Sequence, residues 1–154
     1  ESWMGRIDRY ELVRCFRRTV NFRGQRCTPT EIEFGVKLFE MAEKFMINEH
    51  YDSSFRCFVE FIRRYPSLTL GYYKCGLCII QTYRDAPLSD EARTEAFKNF
   101  GQATEFWRCA VSLEPLNRSL AGNIDMIMRL FVGMPVPSES LYRDHALYPK
   151  SLDT

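Results

Sequence analysis

The sequence predicts an all-α fold of about six helices followed by an extended C-terminal tail. Leu70 to Tyr83 is apolar nearly all round, with Lys74 as its single formal charge. A helix of that kind is buried, and this one is too short to span a bilayer. The flanking segments carry apolar residues at three- and four-residue steps, bounded by capping residues and prolines. No stretch reads convincingly as a strand. Aromatic runs such as Phe55 to Phe61 suit a strand by composition, but their spacing and stop signals favour helix.

Residues 6–21 read as the first helix. Ile7, Tyr10, Val13, Phe16 and Val20 form its apolar stripe, and Arg14, Arg17 and Arg18 cluster on the other side. A polar connection containing Gly24 follows. Thr28-Pro29-Thr30-Glu31 is a start signal: Thr28 caps, Pro29 suits the first helical position, and Glu31 completes a capping box. The second helix runs to about Asn48, with Phe34, Leu38, Met41 and Phe45 on one line and Ala42 beside it. Asp52 caps a third helix over 53–65, which buries Phe55, Phe58, Val59, Phe61 and Ile62 and stops at Pro66. The central helix comes next, then a loop over 84–88. Ser89 caps a long helix over about 90–113, with Asp90 and Glu91 in its first turn. Ala92, Ala96, Phe100, Ala103, Trp107, Ala110 and Val111 form its stripe, and Pro115 ends it. Asn117 caps a last helix ending near Val132, with Gly133 as its C-terminal cap. The chain thus divides into an Arg-rich helix and connection (1–27), a helical domain (28–133) and a proline-containing tail (134–154).

At 154 residues the chain fits one domain. Its 45% apolar and 27% charged residues are an ordinary globular composition. A net charge of +1 argues against a polyanion binder driven by overall charge, but leaves room for a local patch. Residues 1–27 hold seven Arg against Glu1, Asp8 and Glu11, whereas the remainder is slightly acidic. The six Cys lack a compact disulfide spacing and read as reduced core thiols, which points to an intracellular compartment, cytoplasm or mitochondrion. Asp8 and Glu11 argue against a mitochondrial targeting helix, and no secretory signal or membrane span is visible.

Two correspondences suggest an internal repeat. Leu38, Met41, Ala42 and Phe45 recur 34 residues later as Tyr72, Cys75, Gly76 and Ile79. Ser54, Phe58, Phe61 and Pro66 likewise correspond to Ala103, Trp107, Ala110 and Pro115. This resembles the tetratricopeptide repeat (TPR), a helix–turn–helix unit of that period, over roughly residues 35–131. The second unit is longer, with 39 residues from Gly76 to Pro115 against 24 from Ala42 to Pro66, and the family's Trp, Gly and Tyr signature is mostly absent. The resemblance implies a curved stack whose inner face binds a peptide or another protein. The family's carboxylate clamp needs Lys and Asn one turn apart in the groove. Phe39 and Glu43 stand near that register, and Lys44 and Asn48 fall too late, so chaperone-tail binding is not expected.

The sequence carries no convincing catalytic set. Cys75-x-x-Cys78 has redox or metal spacing, but it lies mid-helix without a strand before it and without a second ligand pair. His50 and His145 lack a nucleophile or carboxylate pattern, and the glycines form no phosphate loop. No metal, cofactor or small-molecule substrate is therefore expected. The expected role is a non-catalytic scaffold or adaptor subunit docking other proteins within an assembly. Its partner-binding candidates are Arg14, Arg17 and Arg18, with Tyr142 and Tyr148 in the tail. The alternative is an RNA-binding helical-repeat protein using the Arg-rich helix. Tyr10 and Phe22 could then stack bases if exposed, although Tyr10 fits the buried stripe better.

Overall fold

The computed structural model describes residues 7–84 and 90–132. It contains six helices: α1 (Arg9–Arg17), α2 (Pro29–Ile47), α3 (Tyr51–Arg64), α4 (Thr69–Arg84), α5 (Asp90–Leu113) and α6 (Arg118–Val132). There is no strand among the described residues, only an isolated antiparallel bridge between Val20 and Arg26. The expected loop over 85–88, the Ser89 and Gly133 caps and the tail lie outside the described residues.

Local chemistry sets most boundaries. The α2 capping box forms as the sequence predicts. Glu31 N donates to Thr28 Oγ1 at 3.1 Å, and Thr28 N donates to the Glu31 carboxylate at 2.8 Å. Asn117 Oδ1 accepts from Leu120 N at 3.0 Å at the start of α6. Two ends differ from expectation. α1 is shorter than 6–21 because Asp8 caps it, accepting from Glu11 N at 2.8 Å. Past its end, Asn21 Oδ1 accepts from Arg23 N and Gln25 N around the left-handed Gly24 (φ +74°). α3 starts one residue before Asp52, so Asp52 lies in its first turn and does not cap it.

Consecutive helices α2, α3, α4 and α5 pack side by side. Longer-range contacts join alternate helices. The Lys74 ammonium of α4 pairs with Glu43 of α2 at 3.0 Å, and Asn123 of α6 donates to the Tyr73 hydroxyl of α4. Phe16 of α1 meets Tyr65 at the end of α3 edge-on at 4.7 Å between centroids, and Phe55 of α3 meets Phe106 of α5 at 5.8 Å.

α4 is buried nearly all round, and it serves two apolar clusters. Leu70, Cys75 and Cys78 join Leu12, Phe16, Phe39, Phe58 and Phe61 of α1 to α3. Tyr73, Ile79 and Ile80 join Phe100, Trp107, Leu120 and Ile124 of α5 and α6. Two stripes read from the sequence are corrected. α1 buries Leu12 and Phe16, while Tyr10 is 69% exposed. α2 buries Gly35, Val36, Leu38, Phe39 and Ala42, whereas Phe34 and Met41 stay 45% and 48% exposed. In both helices α3 and its neighbours cover a face rotated from the one that spacing alone selected, because each helix has apolar residues on more than one side.

Two glycines permit close helix approach. A Cβ on Gly35 would run into the Phe16 ring, and one on Gly76 would run into the Trp107 indole. The Trp107 indole occupies the space that Gly76 leaves open. Gly76→Ala should therefore overpack the α4–α5 contact and destabilise by about 1–3 kcal/mol. Gly122 is exposed on α6 with open space around it, so Gly122→Ala should stabilise by about 0.5–1 kcal/mol. Urea unfolding of both variants checks the opposite signs.

Candidate protein-docking site

The arginines of α1 divide into engaged and open groups. Arg9 meets Glu40 of α2 through two hydrogen bonds, at 3.1 and 2.7 Å. Glu40 in turn is held below the ordinary carboxylate range by that bond. Arg14 reaches back one turn to Glu11 at 3.2 Å and lies 5.9 Å from the Tyr10 ring centroid. Arg17 and Arg18 are exposed and make no ion pair among the described residues. Of the three predicted basic residues, then, Arg14 is partly neutralised in place, while Arg17 and Arg18 keep their charge open to solvent. Tyr142 and Tyr148 lie outside the described residues.

Arg17 overhangs a groove between α1 and α2. The groove encloses about 240 Å³ and is lined by Arg9, Val13, Arg17, Pro29, Ile32, Glu33 and Val36. It forms because Phe16 seats against Gly35 and sets α1 alongside the first half of α2. That volume is below the range of about 300–1,000 Å³ typical of small-molecule sites, and it suits one side chain of a larger partner. Apolar Val13, Ile32 and Val36 form its body, with two guanidinium groups and Glu33 at its edge.

Sequence reasoning missed a second surface on the opposite side of α2. Phe34 and Met41 are exposed there, with Leu38 and Phe45 between and beyond them on the same line. The Arg64 guanidinium lies 4.4 Å from the Phe34 ring centroid. Phe22, 57% exposed, carries Arg23 at 5.0 Å. Phe22, Thr30, Glu31, Phe34, Arg64 and Tyr65 enclose a second groove of about 210 Å³. The signal was present in the sequence: α2 has apolar residues on two faces, and one helix pair covers only one of them.

Phe39 is buried and Glu43 is engaged by Lys74. Cys75 and Cys78 are buried, and Cys78 Sγ donates to Ser54 Oγ at 3.4 Å. Among the described residues no group of three or more His, Cys, Asp or Glu could hold a metal ion. No helix among them is long and apolar enough to cross a membrane. Comparison with family models, with curated proteins and with solved structures finds no match to this chain.

Burial raises the Cys78 thiol from 9.0 to about 11, and raises Cys75 further. It also raises the hydroxyls of Tyr65, Tyr72 and Tyr73 from 10.0 to about 12. In each case the folded value lies above the unfolded one, so the native chain binds more protons at alkaline pH. The stability these groups contribute is full below about pH 9 and is lost as pH rises toward 11 and 12. Urea midpoints should therefore fall from about pH 9 upward, and native Cys75 and Cys78 should label with a thiol reagent only when the chain opens. A midpoint constant to pH 11, or fast native labelling of both, contradicts this burial.

Proposed function

We propose that this chain is a non-catalytic scaffold or adaptor subunit that docks other proteins through a TPR-like helical stack. The alternating contacts support the stack: α2 to α4 through Glu43 and Lys74, α4 to α6 through Tyr73 and Asn123, and α3 to α5 through Phe55 and Phe106. Small residues support it where paired helices touch. Ser54 Oγ donates to Ala42 O at 2.7 Å, and Gly76 receives Trp107. The observation that carries the docking role is the α1–α2 groove, which has an apolar body and the uncompensated Arg17 at its edge. It fits an acidic protein surface that inserts an apolar side chain. The six unpaired thiols support a reducing intracellular compartment.

A second reading, RNA binding, is favoured by the exposure of Tyr10 and Phe22, each with a guanidinium near its ring. Exposed rings among cations are the chemistry of single-strand stacking. The basic residues span one short helix and a turn, so a long phosphate track has little to follow.

Replacing Arg14, Arg17 and Arg18 together by Gln separates the readings, because Gln preserves helicity. The expected outcome is weak RNA affinity at physiological salt in the parent chain, and a protein complex weakened in the variant. Arg17 and Arg18 should account for most of the loss, since Arg14 is already paired with Glu11. Submicromolar RNA binding that falls steeply with salt and is lost in the variant would favour RNA.

A further inference from the structure

We propose that the open flank of α2, formed by the exposed Phe34 and Met41 with the half-buried Phe45, docks an amphipathic helix of a partner protein with acidic residues along its edges. The inference rests on the TPR-like reading for its register and on exposure and charge for its occupant.

In the repeat correspondence, Leu38, Met41 and Phe45 of α2 match Tyr72, Cys75 and Ile79 of α4. Cys75 is fully buried because it faces the cluster built from α1, α2 and α3. Met41, at the matching place, is 48% exposed. The preceding helices cover Cys75, whereas Tyr72 and Ile79 pack on the α5 and α6 side; at the place of Cys75, Met41 has no covering helix among the described residues. α1 does not fill the gap, since it packs on Ile32 and Val36, and Ile32 lies about 200° around the helix from Phe34. Phe34 and Met41 are seven residues apart, or about 10.5 Å along the axis. That spacing receives apolar anchors at i and i+7 of a partner helix, with i+3 or i+4 passing between them.

Charge selects the occupant. Lys37 and Lys44 flank Met41 one turn away on either side, Arg64 covers Phe34, and Arg23 covers the neighbouring Phe22. Lys37 is paired with Glu33, and Arg64 with Glu60. Lys44 and Arg23 make no ion pair among the described residues. Glu31 also lines the rim beside Phe34 and faces Arg23, so these four cations stand against the three carboxylates Glu31, Glu33 and Glu60, and the remaining positive charge, centred on Lys44, attracts acidic edges.

The probe is a fluorescein-labelled synthetic helix with Leu at i, i+4 and i+7 and Glu along both edges, followed by anisotropy against the whole chain. A second peptide carries Lys in place of Glu. The acidic helix should bind and the basic one should not. Phe34→Ser with Met41→Ser should weaken binding by about tenfold or more, with the helical signal in circular dichroism unchanged because both side chains are already exposed. Arg23→Gln with Lys44→Gln should flatten the salt dependence. Tyr10→Ser, on α1, should leave binding unchanged. Equal binding of the two peptides, or unaltered binding to the Ser variant, overturns the proposal. So does a concentration-dependent dimer abolished by the Ser variant, which would assign the flank to a second copy. If native protein complexes depend on Arg17 and Arg18 while the acidic helix fails to bind, the docking function stands and this flank is not its site.

Discussion

The fold depends on how closely α5 can approach α4, and Gly76 sets that distance. Trp107 lies where a β-carbon on residue 76 would be, and its indole N–H reaches the Tyr73 carbonyl at 3.1 Å. A buried Trp needs a partner for its one donor, and the missing side chain exposes a helix carbonyl to it. The same tyrosine extends the link, because its hydroxyl accepts from Asn123 of α6. One glycine thus positions α5 directly and α6 through a hydrogen-bonded relay. The reverse side of α4 supplies Leu70, Cys75 and Cys78 to the cluster that holds α1, α2 and α3. α4 is apolar nearly all round because it serves both clusters.

That property was legible in the sequence for a physical reason. A helix buried on every side must be apolar on every side, so composition alone reveals it. Capping boxes and proline stops are equally local, and Thr28, Glu31 and Asn117 act where the sequence places them. The covered face of an amphipathic helix is not local. Tyr10 and Leu12 of α1 both belong to apolar spacings, and only the position of Phe16 against Gly35 and Tyr65 decides that Leu12 goes inside. On α2, Phe34 and Met41 lie on a line as regular as that of Gly35, Phe39 and Ala42. Periodicity reports that a helix has an apolar line, and the neighbours decide which line they cover. The candidate docking surfaces were therefore only half legible: the basic residues could be counted, and the apolar residues beside them could not be told from core.

Counting charges misleads in the same way. Seven arginines in the first 27 residues suggest one continuous cationic face. The structure neutralises Arg9 with Glu40 and Arg14 with Glu11, both at hydrogen-bonding distance. The open charge shifts toward the end of α1 and the turn that follows, at Arg17, Arg18 and Arg23. There it borders apolar surface: Val13, Ile32 and Val36 on one side, Phe22 and Phe34 on the other. Exposed ion pairs are worth little to stability, so the pairing of Arg9 and Arg14 matters mainly for which cations remain open to a partner.

The two surfaces lie on opposite sides of α2, and this separation bears on the proposed adaptor role. Ile32 and Val36 face α1, whereas Phe34 and Met41 face away from it. A partner seated in the α1–α2 groove would not cover the Phe34–Met41 flank, and a helix on the flank would not reach Arg17. The first turn of α2 is itself held by several hydrogen bonds. The capping box fixes Glu31, Asn21 bonds its carboxylate at 3.1 Å, and the Tyr65 hydroxyl donates to the Glu31 carbonyl at 2.6 Å. A rigid helix end between two apolar, positively rimmed surfaces presents both in a fixed relative orientation. Preorganisation of this kind lowers the ordering cost of each docking event. It would let one small chain hold two acidic partners at once, with α2 as the shared wall between them.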